Sequence, residues 1–115
     1  MAYTTVLLQT ITNVEGEGLD SPSQLDLSYT VSQGCTAGVQ YVCAGSTLPG
    51  MLNITLLQND KVMRYVPVAA GSAMHVPLAI VDELQPGTEI SIAVAAEEGS
   101  GTLILDVGIL EVNTS

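Results

Sequence analysis

The chain has 115 residues, with 2 basic against 12 acidic side chains and a net charge of −10 at neutral pH. That length holds one domain, residues 1–115, around a single core. Two cations cannot displace the counterions from a run of phosphates, which excludes nucleic acid and an anionic membrane surface as partners.

There is no Phe and no Trp, so the core has to be assembled from Val, Leu, Ile, Met, Ala and a few Tyr. Aromatic side chains normally supply the largest single burials, and a core without them is often supplemented by oligomerisation; a homo-oligomer, trimer or dimer, is expected. The acidic surplus keeps an apolar sequence in solution and suits a partner with a basic face. No apolar run approaches the roughly 20 residues of a membrane-spanning helix. The opening Met1-Ala2-Tyr3-Thr4-Thr5 is not a basic segment followed by an apolar one, so the expectation is synthesis in a host cytoplasm without a secretory leader. On that expectation the sequons Asn53-Ile54-Thr55 and Asn113-Thr114-Ser115 carry no glycan.

Along the chain the hydrophobic signal has period two. Leu25-Asp26-Leu27-Ser28-Tyr29-Thr30-Val31 and Glu89-Ile90-Ser91-Ile92-Ala93-Val94 alternate cleanly, which places one face on a core and the other toward water. Clusters of Gly, Pro, Asn, Asp and Ser separate the runs. Eight strands are predicted, at residues 3–12, 24–32, 39–44, 51–58, 62–69, 74–81, 89–95 and 102–112. The longest connection, 13–23, contains Glu15-Gly16-Glu17-Gly18-Leu19-Asp20-Ser21-Pro22. Asn59-Asp60-Lys61 reads as a tight hairpin, Gln85-Pro86-Gly87-Thr88 as a type II turn, and Glu98-Gly99-Ser100-Gly101 as another hairpin loop. Gly108 marks a bulge or bend in the last strand, while Pro67 and Pro77 place their strands at sheet edges or kink them. Eight short strands without a helix predict an all-β, eight-stranded antiparallel β-sandwich, a jelly roll, with an immunoglobulin-like sandwich as the other topology.

Few residues offer chemistry. His75, the sole histidine, sits in the strand pattern Met74-His75-Val76-Pro77 with no nucleophile motif in the chain, so no catalytic residue is assigned and the protein is read as non-enzymatic. Cys35 and Cys43 are too far apart in sequence for a Cys-x-x-Cys redox pair, and with one His they fall short of a zinc site. They are left as either a short disulfide or two reduced thiols. Asn13, Glu15, Glu17 and Asp20 could offer oxygens to Ca2+ from the acidic loop 13–20, although not at EF-hand spacing; no metal and no cofactor is assigned. The pairs Glu97-Glu98 and Asp82-Glu83 lie at strand ends, and glycosidase carboxylates would need a cleft and aromatic platforms. Lys61 and Arg64 fall at one hairpin, solvated or paired with a neighbouring subunit.

Val66-Pro67-Val68-Ala69-Ala70 and Leu78-Ala79-Ile80-Val81 are apolar on both faces of the pleat, which predicts burial against a partner. Taken with the eight strands, Gly-rich hairpins, acid-dominated charge and absent catalytic set, the chain resembles in architecture the small capsid decoration, or cement, proteins of tailed bacteriophages. That resemblance implies a compact jelly roll on the virion that binds the major capsid protein or another virion protein and staples neighbouring capsomers. The C-terminal half, from Met51 through Leu84-Gln85-Pro86-Gly87-Thr88-Glu89-Ile90-Ser91-Ile92 to Leu110-Glu111-Val112, is also similar to the trimeric jelly rolls of the tumour-necrosis-factor and C1q type, without their aromatic positions. The function expected is a non-enzymatic virion structural protein that stabilises the assembled capsid at subunit seams. The alternative is a receptor- or carbohydrate-binding module, a fibre tip or lectin-like head using the acidic loop with Ca2+.

Overall fold

The computed structural model describes residues 2–78 and 81–113. Ala79 and Ile80 of the sixth predicted strand, and Thr114 and Ser115 of the second sequon, lie outside them. Six strands follow in order: β1 (Tyr3–Thr30), β2 (Cys35–Ser46), β3 (Leu52–Gln58), β4 (Lys61–Val68), β5 (Ala73–Pro77) and β6 (Glu89–Asn113). All pairings among them are antiparallel. Among the described residues no helix is long and apolar enough to cross a membrane.

β1 and β6 explain how six strands make eight. At about 3.3 Å per residue the 28 residues of β1 would run about 90 Å if straight, yet the longest dimension of the molecule is 48 Å. The two strands therefore bend together and pass from one sheet into the other. Residues 3–16 of β1 pair with 99–112 of β6, whose other side takes β2 and then β5. Residues 18–30 pair with 89–96, whose other side takes β3 and then β4. The result is two four-stranded sheets, β5-β2-β6-β1 and β4-β3-β6-β1, an antiparallel jelly roll.

Two connections expected to be loops are thereby corrected. Residues 13–23 belong to β1, with Asn13, Val14 and Glu15 opposite Thr102, Gly101 and Ser100. Residues 98–101 belong to β6 and form no hairpin. The glycines there serve the crossing. A Cβ on Gly16 would collide with the backbone oxygen of Glu97, and Gly18 and Gly99 take φ values of 110° and 111°, which side chains other than hydrogen rarely tolerate. Irregular register follows: from Gly18 to Ser23, five steps along β1 answer two along β6.

Other turns match the sequence reading. Asn59 and Asp60 both have positive φ, 47° and 65°, between the paired Gln58 and Lys61, the signature of a type I′ hairpin. Gly87 has φ 85°, and the Thr88 N–H donates to the Gln85 carbonyl at 3.1 Å, closing the type II turn. Pro67 and Pro77 lie on β4 and β5, the outermost strands of their sheets, where a missing N–H costs no ladder bond.

One cluster fills the space between the sheets. Leu8, Val42, Ala44, Leu103, Leu105, Val107 and Ile109 meet Leu52, Ile54, Leu56, Val66, Val68, Ile90, Ile92 and Val94, joined by Val31, Leu48 and Leu84 from the connections. Alternation carries through the first half of β1: odd-numbered residues from Tyr3 to Glu17 are exposed, and from Val6 the even ones turn inward.

Candidate functional site

The outer face of the sheet β5-β2-β6-β1 gathers most of what is unusual about this surface. Register sets three rows across it. The middle row runs His75–Cys43–Asp106–Gln9, with Pro77–Tyr41–Gly108–Leu7 on one side and Ala73–Gly45–Ile104–Ile11 on the other. Leu7, Ile104 and Ile11 are 48%, 54% and 73% exposed, and Tyr3 continues the line on β1. Three branched aliphatic side chains standing this far into water on one face is a cost no core requires.

The face is uneven. Because Gly45 and Ala73 are small, an apolar hollow of about 280 Å³ opens between Cys43, Met74 and Ile104. On the far side of Ile104, Gln9, Thr10, Ile11 and Asp106 border an open depression of about 460 Å³. Asp106 lies between the two. Its Oδ2 takes a long hydrogen bond from the Tyr41 hydroxyl, 3.4 Å, while Oδ1 is buried with no partner among the described residues. Tyr41 is held over the face by a β-bulge: Val39 pairs with Ile109 and Tyr41 with Gly108, leaving Gln40 as the extra residue. The tyrosine ring occupies the space above Gly108 that a Cβ would need. It meets the His75 ring edge-on, centroids 5.3 Å apart at 79°. Loss of surrounding solvent, then the Asp106 charge and hydrogen bond, push the Tyr41 hydroxyl above its ordinary pKa.

Of the residues singled out by sequence, the structure brings His75 and Cys43 together as cross-strand partners, which sequence spacing did not anticipate. Asp106 stands on the other side of Cys43, so it does not orient the imidazole as a triad acid would. Cys35 and Cys43 are both free. Eight residues apart on one strand, they sit about 26 Å from each other by strand rise, far beyond disulfide reach. Asn13, Glu15 and Glu17 follow one another along the exposed side of β1 and border a concavity of about 300 Å³ with Ser23 and Leu25. No group of three metal-ligating side chains forms among the described residues. Glu97 accepts the Met51 N–H at 2.7 Å and thus ties β6 to the start of β3. Arg64 pairs within the chain with Asp82 at 3.1 Å.

Of the apolar runs expected to dock a partner, Ala79 and Ile80 lie outside the described residues, and the others divide between core and surface. Val66 and Val68 point into the core while Pro67, Ala69 and Ala70 are exposed, and Val81 covers Gly38. Another exposed apolar surface is the β1/β6 outer face, at Leu7, Ile11 and Ile104. A second concavity lies on the other sheet, where the irregular stretch of β1 brings Leu19, Asp20 and Pro22 against Asn53, Thr55, Val62, Tyr65, Ala93 and Ala95 around about 310 Å³.

No family model matches the chain, and no curated protein matches its sequence. Solved structures do. The CBM36-1 domain of a multidomain xylanase from the hindgut metagenome of Trinervitermes trinervoides superposes with a TM-score of 0.58 at 14% identity, over 93% of this chain and 96% of that one. Infectious bursal virus-derived T=1 particles give a TM-score of 0.61 at 10% identity, over 97% of this chain and 32% of theirs. The carbohydrate-binding module CBM36 in complex with calcium and xylotriose gives 0.54 at 15%, over 84% and 97%. The likeness is one of fold. This chain spans about a third of the viral chain and nearly the whole of either binding module, and at such identities the shared jelly roll assigns neither activity nor ligand.

Proposed function

We propose that this chain is a non-catalytic structural protein of a virion, a capsid decoration protein that docks on the major capsid protein where subunits meet. The observation that carries the reading is the outer face around Leu7, Ile11 and Ile104, exposed together on a rigid sheet. A face of this shape suits a protein partner. Its knobs and its hollow match side-chain packing at an interface core, and Asp106 Oδ1, buried and unpaired among the described residues, offers an acceptor to a donor on the docked surface. Burial of the three aliphatic side chains would then anchor the contact, with the surrounding polar rim excluding water. A pre-folded module that binds only the assembled shell stabilises that state by mass action. Such a protein would be made in the host cytoplasm and carried in the virion. The viral-particle likeness supports the fold this role needs.

Co-sedimentation with assembled heads of the virus, set beside unassembled capsid subunits, tests the reading. Saturable binding to heads alone, weakened by Ile11→Lys and Ile104→Lys, is expected. Equal or absent binding to both would overturn it.

A second reading has its own observation. Tyr65 stands exposed beside the concavity floored by Asn53, Thr55, Ala93 and Ala95, an arrangement in which an aromatic face and nearby amide and hydroxyl groups suit a neutral sugar. The receptor- or carbohydrate-binding alternative would use this cleft, with Asp20 at its border, and not Glu15 and Glu17. Retardation on immobilised polysaccharide, lost in Tyr65→Ala, distinguishes it.

A further inference from the structure

A β-sheet edge presents unpaired N–H and C=O groups, and proteins blunt such edges with charge, proline, bulges or brevity. The two sheets here have four edges, and three are blunted. β4 carries Lys61, Arg64 and Pro67, and its register slips between Leu56 and Leu57 of its partner. β5 is five residues long and ends in Pro77. The second half of β1 contains Asp20, Pro22 and Asp26 and loses register twice after Gly18. The fourth edge, residues 3–14 of β1, has none of these. It reads Tyr-Thr-Thr-Val-Leu-Leu-Gln-Thr-Ile-Thr-Asn-Val, pairs with β6 without a break in register, and among the described residues is paired with no other strand.

We infer that this edge is a self-association surface: residues 4–14 of β1 pair antiparallel with the same residues of a second copy of the chain, joining two four-stranded sheets into one of eight. This goes beyond the capsid-docking reading and does not depend on it. Charge selects where two copies can meet. A second copy brings another net charge of −10, and this strip alone among the edges carries neither acid nor base, so the copies meet where repulsion is least. Symmetry fits as well, since antiparallel pairing of a strand with itself is a two-fold, closed contact. Side-chain direction fixes the register to a choice that keeps outer faces together. Centring the two-fold on Gln9 sets Leu7 of each copy opposite Ile11 of the other, both outward and both exposed, and leaves Glu15 facing Tyr3 and not another carboxylate. Cross-strand aliphatic pairs of this kind are the unit of sheet stability. One strand pair buries less than a standard interface, so the dimer will dissociate on dilution.

Sedimentation equilibrium of the full chain over a wide concentration range reads the mass directly. The expected result is a reversible rise from 11.9 kDa to twice that value, abolished in Leu7→Lys/Ile11→Lys, whose exposed positions leave the circular dichroism unchanged. In Gln9→Cys, mild oxidation should link two chains through the introduced thiols, because directly opposed strand residues lie within disulfide reach. Amide exchange supplies a readout specific to pairing. In a monomer every second N–H of residues 4–14 faces solvent and exchanges freely, whereas the dimer protects both sets. A monomer at all concentrations, a trimer, or a dimer that keeps the alternating exchange pattern would each overturn the inference. A monomer that still binds assembled heads would sink this pairing and spare the docking reading; a dimer that ignores heads would do the reverse.

Discussion

Tyr41 lies directly over Gly108, with its ring in the volume that any Cβ on residue 108 would occupy. The bulge at Gln40 puts the ring there, and the bare glycine lets it lie flat enough to reach both His75 and Asp106. Gly108→Ala should therefore destabilise the protein, by about 1 kcal/mol, since the obstruction is the far end of a side chain that can swing outward. Gly16→Ala meets the Glu97 backbone instead, which cannot swing, and should cost more than about 2 kcal/mol. Urea titrations compare the two. In a Tyr41→Ala background the cost of Gly108→Ala should vanish, and its persistence would mean the ring is not the obstruction.

Alkaline pH reads the same tyrosine. Its hydroxyl ionises above the ordinary value of 10.0 in the folded chain, first because solvent is lost around it and then because Asp106 is near. Above pH 10 the unfolded chain releases this proton before the native state does, so the native state binds more protons and stability falls as pH rises through that window. Tyr41→Phe should flatten this part of the stability profile. Asp106→Asn should lower the phenol only part of the way, because solvent exclusion remains. Absorbance of phenolate in Asp106→Asn and in the parent chain measures it.

Much of this fold was legible. The period-two runs marked all eight strand segments, and the Asn59-Asp60 hairpin, the Gln85–Thr88 turn and the edge positions of Pro67 and Pro77 followed from backbone chemistry. What failed was residues 13–23 and 98–101. A corner where two paired strands cross between sheets needs glycine at positive φ, as at Gly18 and Gly99, and so does a loop; composition cannot separate them, because the difference lies in whether a partner strand bends in step. The apolar face around Ile11 and Ile104 escaped the sequence for a related reason. Ile11 and Ile104 lie far apart in the sequence, and only register, which puts them side by side, turns two exposed residues into a patch. The cross-strand meeting of Cys43 with His75 was hidden in the same way.

The Asn59-Asp60 hairpin offers a test of local against tertiary control. Asn59 does more than turn: its Oδ1 accepts the Glu89 N–H at 3.0 Å, and its own N–H donates to the Glu89 carbonyl at 2.9 Å. It thus fastens the hairpin to the start of β6. Asn59→Ala should cost about 1–2 kcal/mol, from one lost hydrogen bond and a left-handed residue without a tolerant side chain. Asp60→Gly should stabilise by about 0.5 kcal/mol, as Asn-Gly is the preferred pair for this turn. Thermal unfolding of both variants gives the signs; a destabilising Asp60→Gly would mean that the unfolded-chain entropy of glycine outweighs relief at φ 65°.

Calcium provides the remaining discrimination. Asn13, Glu15 and Glu17 follow one another on an extended strand, opposite Thr102, Ser100 and the crossing near Gly99, and Asp20 lies beyond the register break that follows Gly18. Among the described residues no three such side chains gather closely enough to hold a metal ion, short of the roughly six to eight oxygen ligands that Ca2+ takes. A ligand that binds the folded state must raise the unfolding temperature, so melting curves with Ca2+ and with chelator should superimpose. Glu15→Gln/Glu17→Gln should melt at or slightly above the parent, because it removes like charges two residues apart on a chain of net charge −10. A Ca2+-dependent rise that this double variant abolishes would show that β1 yields its register to gather these carboxylates, and would move the functional reading from the apolar face to this strand.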